Sequence, residues 1–209
     1  MKKFLSGVGG ALCILACAAN AHAQVAGLPV YGGGVSTGID LAADVGFSND
    51  AAGGGMGYGA RASIGIGFIG ATAMISRYSP DGGDGFVSPG VAGSLRLFGG
   101  PLIPIRVVLQ AGVARWDVND VKTTRAPVSL AIGATIPNPA FAIRPWIAPR
   151  IDFTRSEFGG DTETSSDFAI SGGIELGLIT GFTIRAAYDR TSRGDGTPAV
   201  FSIGVGFSP

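Results

Sequence analysis

Beyond its first two dozen residues the chain alternates apolar and small or polar positions with a period of two. Between residues 35 and 47 the odd positions read Val35, Thr37, Ile39, Leu41, Ala43, Val45 and Phe47, and the even ones Ser36, Gly38, Asp40, Ala42, Asp44 and Gly46. Successive side chains of a strand point to opposite faces, so this pattern gives one apolar face and one polar face. The same split recurs further on. Tyr58, Ala60, Ala62, Ile64 and Ile66 oppose Gly57, Gly59, Arg61, Ser63 and Gly65. Val128, Leu130, Ile132, Ala134 and Ile136 oppose Ser129, Ala131, Gly133 and Thr135. Phe168, Ile170, Ile174, Leu176 and Leu178 oppose Ala169, Ser171, Gly173, Glu175 and Gly177.

Counting such stretches predicts ten strands, at 35–47, 56–67, 71–78, 86–98, 103–116, 126–136, 140–154, 168–178, 182–190 and 199–207. Their lengths suit tilted strands crossing a hydrocarbon layer. The connectors alternate in length. Residues 48–55, 79–85, 117–125, 155–167 and 191–198 make long ones; Phe68-Ile69-Gly70, 99–102, Pro137-Asn138-Pro139 and Ile179-Thr180-Gly181 make tight ones. Short turns at one end and longer loops at the other are the habit of transmembrane barrels. The predicted fold is therefore all-β, an antiparallel transmembrane up-and-down β-barrel of about ten strands, with eight as the alternative.

Aromatic residues gather at strand ends, with Phe47, Tyr78, Phe86, Trp116, Phe153, Phe168, Tyr188 and Phe201 near the outer ends. Tyr31, Phe68, Phe98, Phe141, Phe182 and Phe207 fall near the periplasmic ends. Two girdles at the headgroup levels follow, although Trp116 and Phe98 carry inward parity. Pro89, Pro104, Pro127, Pro145 and Pro149 lie in or near strands, and each removes a ladder donor. Bulges, an irregular seventh strand, or eight strands with residues 140–154 partly a loop or plug would accommodate them.

Met1-Lys2-Lys3, an apolar run over 4–19 and Ala21-His22-Ala23 read as a signal peptide over 1–23, cleaved before Gln24. The barrel domain is then 24–209. Lipidation at Cys17, after Ile14-Leu15-Ala16, is the rival reading. Cys13, Cys17 and the single histidine, His22, all lie in the leader. Its removal leaves no disulfide, thiolate or imidazole base. Serine–histidine and cysteine–histidine nucleophiles are then excluded, and no glycine-rich phosphate loop is present. The chain reads as a non-enzyme that needs no cofactor. Without Lys2 and Lys3, 13 basic residues face 15 acidic ones. No basic run marks a nucleic-acid partner.

On these residues the chain resembles small single-chain outer-membrane β-barrel proteins of Gram-negative bacteria, over essentially all of 24–207. The resemblance implies the bacterial outer membrane as location, with outer-membrane lipid and lipopolysaccharide as its surroundings. In that family a last strand such as Phe201, Ile203, Val205 and Phe207 is the signal read by the outer-membrane assembly machinery. Here Ser208 and Pro209 follow the usual terminal aromatic. The resemblance is to an architecture, and no catalytic motif carries over.

The charged residues with inward parity are Asp40, Asp44, Arg61, Arg96, Arg106, Arg144, Arg150, Asp152, Glu175, Arg185 and Asp189, joined by Gln110. Guanidinium–carboxylate pairing would satisfy them in a narrow lumen. This predicts a salt-bridged interior and a structural, surface-interaction or docking role; the alternative is a small pore for ions or small solutes. Arg77 and Arg115 fall near outer strand ends, as rim residues or reaching toward lipid head groups. The outer loops are rich in acids, but Asp81-Gly82-Gly83-Asp84-Gly85 lacks the periodic ligands of a calcium loop, so no metal site is predicted. These loops are the expected surface for a protein partner, with 155–167 the longest.

Overall fold

The computed structural model describes residues 25–32, 38–100, 103–193 and 196–208. The leader, including Cys17 and the cleavage site, lies outside the described residues. The strands are β1 (Gly38–Ser48), β2 (Met56–Ile66), β3 (Ile69–Ser79), β4 (Phe86–Gly100), β5 (Ile103–Val118), β6 (Val121–Ala134), β7 (Ile136–Pro137), β8 (Phe141–Phe158), β9 (Asp161–Leu178), β10 (Phe182–Ser192) and β11 (Ala199–Phe207). Apart from β6 and β7, sequence neighbours pair antiparallel, β1 pairs with β11, and β6 pairs with β8. β7 continues β6 beyond Thr135 in the same register against β8, Gly133 opposite Trp146 and Ile136 opposite Ile143. The wall is thus a closed barrel of ten strands, not eight. Closure leaves no sheet edge in the hydrocarbon, where an unpaired backbone group would be costly.

The barrel is apolar outside. Ile39, Leu41, Ile64, Ile75, Leu130, Ile151, Ile174, Ile184, Ile203 and Val205 are all exposed on its outer wall. Asp44, Ser76, Ser88, Arg150, Asp152, Ser171, Arg185, Asp189 and Ser202 are buried within.

Two long connectors expected from the sequence are strand instead. Residues 117–125 extend β5 and β6 to a two-residue turn at Asn119 (φ 51°) and Asp120 (φ 64°). Residues 155–167 extend β8 and β9 to a turn at Gly159 (φ 55°) and Gly160 (φ 94°). Positive φ at both central residues matches the right-handed twist of the flanking strands. Polar composition suggested loops here, whereas cross-strand pairing carries the ladder on. β8 and β9 have 18 residues each, so they are about 60 Å long. A tilted strand needs far less to cross an apolar band of about 25 Å, so this pair of hairpins stands out of the membrane.

The prolines cause no register shift in β8, which pairs with β9 without interruption from Phe141 to Phe158. Pro145 and Pro149 share parity, so both missing N–H groups point at β6, and the β6 ladder is broken beside them. Pro127 likewise interrupts only the β5 side of β6, and Pro89 ends pairing with β5 while staying opposite Ile75 on β3. Each proline spends its defect on one neighbour. The register shifts that do occur are in β4, between Arg96 and Phe98 and again between Phe98 and Gly100. The first overturns the expected inward parity of Phe98, which is 54% exposed.

Candidate functional site

The polar interior is not simply a ring of strand residues. Residues 25–32, ahead of β1, run through the lumen as a strap, with Val25, Leu28 and Val30 each at most 5% exposed. Val25 and Leu28 pack with Ala114, Met74 and Trp116. Hydrogen bonds hold the strap's backbone and ring. Ser76 Oγ donates to the Ala26 carbonyl (2.8 Å), the Val30 N–H donates to Asp189 Oδ2 (3.1 Å), and the Tyr31 hydroxyl lies 2.9 Å from Ser202 Oγ.

Inward glycines make the room. A Cβ on Gly46 would stand 2.0 Å from the Gly27 carbonyl oxygen, one on Gly57 2.5 Å from it, and one on Gly59 2.4 Å from Leu28 Cδ1. The strap was missed in the sequence because it has no period. Its traces there are the apolar Val25, Leu28, Val30 and Tyr31 and the inward glycines at 46, 57 and 59.

Tyr31 is therefore a lumen residue rather than part of the periplasmic girdle. Its ring lies under the Arg61 guanidinium at 4.2 Å, with Arg185 at 5.8 Å and the Trp146 ring at 6.4 Å. Tyr78 and Trp116 also leave the girdle. Tyr78 is buried and donates to the Ala52 and Gly54 carbonyls of the first outer loop, while Trp116 stacks on Phe86 beside the strap.

Toward the loop-bearing end the charges form a compact network. Arg150 donates through Nη1 and Nη2 to Asp189 (2.7 Å each) and through Nε to Asp152 (2.9 Å). Ser171 joins Arg150 and donates to Asp189 (3.0 Å). Arg125 donates to Asp152 at 2.5 Å and to Thr191 at 3.2 Å. Arg125 was absent from the inward set because its stretch read as a loop. Two arginines and two aspartates balance here, with their buried charges paired and hydrogen-bonded as a low-dielectric site requires.

Toward the tight-turn end the pairs are looser. Arg144 Nη1 donates to Glu175 at 2.7 Å, but Arg185 stands 3.6 Å from Asp44 and Arg61 4.0 Å from Asp40. Asp40 also accepts from Ser208 Oγ (2.8 Å), and Arg96 donates to the Gly67 carbonyl (2.7 Å). Arg106 lies half-buried on the same inner wall. Gln110 lies on it too, its buried Oε1 without a partner among the described residues. Arg77 and Arg115 sit exposed on the outer wall of β3 and β5. No cluster of three metal-ligating side chains occurs among the described residues.

Asn49 ties two outer loops together. Its Oδ1 accepts from the Ala52 and Ala199 N–H groups (3.1 and 2.9 Å), and its Nδ2 donates to the Thr197 carbonyl (3.1 Å).

No curated protein matches the chain in sequence. Among solved structures it is similar to the β-domain of the Bordetella autotransporter BrkA, at 14% identity and TM-score 0.52 over 82% of this chain and 98% of that one. It is also similar to the N-terminal β-barrel domain of Pseudomonas aeruginosa OprF, at 13% identity and TM-score 0.42 over 82% and 97%. The outer-membrane enzyme PagL aligns at 13% identity and TM-score 0.44 over 81% and 99%. These likenesses concern the fold alone. A family model described as the outer membrane protein beta-barrel domain matches residues 9–208. With that match over nearly its whole length, the chain belongs to the outer membrane protein β-barrel domain family and is a protein of the bacterial outer membrane.

Proposed function

We propose that the protein is a closed, non-enzymatic barrel whose role is to stabilise the outer membrane and present a surface, rather than to conduct solutes. The observation that carries this reading is the strap, which puts Val25, Leu28 and Val30 into the lumen and ties Val30 to Asp189. A water-filled channel would leave those side chains wet, whereas burying each contributes about 1.5–3 kcal/mol. The protruding hairpins are the docking surface. Residues 161–166 of β9 pair with β8 and have no strand partner on the β10 side among the described residues, where pairing stops at Phe168 opposite Ser192. That free edge offers main-chain groups to an extended segment of a partner.

Two further parts of the reading concern biogenesis. The leader is removed before Gln24, which leaves the strap as the new amino-terminal segment. Phe201, Ile203, Val205 and Phe207, all exposed on the outside of β11 except where Phe207 meets Phe182, serve as the assembly signal.

The test is single-channel recording of leader-free protein folded in detergent and inserted into a planar bilayer, after a heat-modifiability gel has established folding. A silent bilayer supports the closed barrel. Steady conductance steps from the unaltered chain favour the pore reading, whose supporting observation is the excess of arginine at the tight-turn end. Mass spectrometry of the purified protein reports cleavage after Ala23 or, against this reading, acylation at Cys17.

A further inference from the structure

Charge is unevenly divided along the lumen. Near the loop-bearing end Arg125 and Arg150 balance Asp152 and Asp189. Near the tight-turn end Arg61, Arg96, Arg106, Arg144 and Arg185 face, among the described residues, Asp40, Asp44 and Glu175. The surplus centres on Arg106, which among the described residues has no ion-pair or hydrogen-bond partner. The charges acting on it are Glu175, which attracts, and Arg144, which repels. Glu175 is already engaged by Arg144 at 2.7 Å.

The wall is shaped around these two arginines. A Cβ on Gly133 would come 3.0 Å from Arg106 Nε, and one on Gly177 would come 2.8 Å from Arg144 Nη1, so each guanidinium lies against a position that glycine leaves open. Trp146, opposite Gly133, separates this place from Gly32 of the strap. The Arg144 and Glu175 side chains are 32% and 22% exposed, so solvent reaches the pair.

We propose that Arg106 and Arg144 form an anion site in the tight-turn vestibule, taking a small multivalent oxyanion: inorganic phosphate or a polycarboxylate. A guanidinium presents a planar fork of donors that fits two oxygens of one carboxylate or phosphate. A cation in a confined, low-dielectric lumen is costly without a counter-charge. An oxyanion of two or more charges docks on the Arg106 fork and is drawn also by the Arg144 charge, while Glu175 keeps its existing partner. A halide offers neither the two acceptor edges nor the second charge. Solvent reaches Arg144 and Glu175, and the site uses no residue of the strap, so it stands apart from the closed-barrel reading.

Trp146 reports on the site, and Trp116→Phe removes the second indole. In that background the folded barrel in detergent is titrated with sodium phosphate and with citrate, against sodium chloride at matched ionic strength, while Trp146 fluorescence is followed. Saturable changes with phosphate or citrate and none with chloride are expected, and whichever saturates at the lower concentration identifies the preferred oxyanion. Arg106→Gln and Arg144→Gln weaken binding about tenfold or more, the scale of a lost charge-assisted hydrogen bond. Arg77→Gln, on the outer wall, leaves it unchanged. Glu175→Gln removes the competing acid and tightens binding, which keeps the proposal testable if an arginine variant fails to fold. A chloride titration equal to that of phosphate, undiminished binding in a folded Arg106→Gln barrel, or weaker binding in Glu175→Gln overturns it.

Discussion

Asp189 holds Arg150 and Val30 at once: Oδ2 accepts from Arg150 Nη1 at 2.7 Å and from the Val30 backbone N–H at 3.1 Å. The barrel wall and the strap therefore share one carboxylate. Asp189→Asn removes the charge opposite a fully buried guanidinium, and breaking such a pair costs about 3–5 kcal/mol. The expected result is a lower urea midpoint for unfolding in detergent, read on a heat-modifiability gel, together with easier release of the strap. An unchanged midpoint would mean that Asp152 alone satisfies Arg150.

The strap fits because glycines face it, so filling those positions should evict it without harming the wall. Gly46→Val adds a Cβ that would stand 2.0 Å from the Gly27 carbonyl oxygen. Valine itself suits a strand. A folded Gly46→Val barrel is expected to show conductance steps where the unaltered chain is silent. Silence in a folded variant would place the barrier elsewhere than at the strap.

Asn49 bonds to both the first and the last outer loop. Asn49→Ala loses a capping acceptor and two cross-loop bonds, a cost of about 1–2 kcal/mol. Limited proteolysis near Ala52 and Thr197 is expected to accelerate, with the barrel core left intact.

The turn at Asn119 and Asp120 requires φ of 51° and 64°. Asp120→Gly should be neutral or slightly stabilising, whereas Asp120→Val costs about 1–2 kcal/mol because a branched side chain opposes left-handed backbone. Comparison of the two melting transitions checks the turn assignment.

Much of the wall was legible because lipid imposes a two-residue period on every strand that crosses it. Val45 and Ile203 had to face out and Asp44 and Ser202 had to face in. Beyond the bilayer that constraint lapses. Thr162, Thr164 and Ser166 are strand residues with exposed faces on both sides, and their composition reads as loop. Arg125 was lost for the same reason. The strap has no repeating partner at all: the hydrogen bonds of Val30 and Tyr31 are with residues 159 and 171 positions away. What the sequence did carry was its imprint, the glycines at 46, 57 and 59, and glycine in a strand admits several explanations. For the lumen charges, parity identified who faces inward but not who meets whom. The pairing of Arg150 with Asp189 rather than Glu175 is a matter of height along neighbouring strands.

The one-sided prolines give the wall a direction of weakness. Pro89, Pro127, Pro145 and Pro149 leave gaps in three consecutive ladders, between β4 and β5, β5 and β6, and β6 and β8, while the β1, β2, β10 and β11 ladders run unbroken through their registers. A cylinder so built is mechanically anisotropic. Under lateral tension it yields first along that quarter of its circumference, where Val25 packs against Gly90 and Ala114, and Gly32 against Ala131 and Ala148, to brace the wall from within.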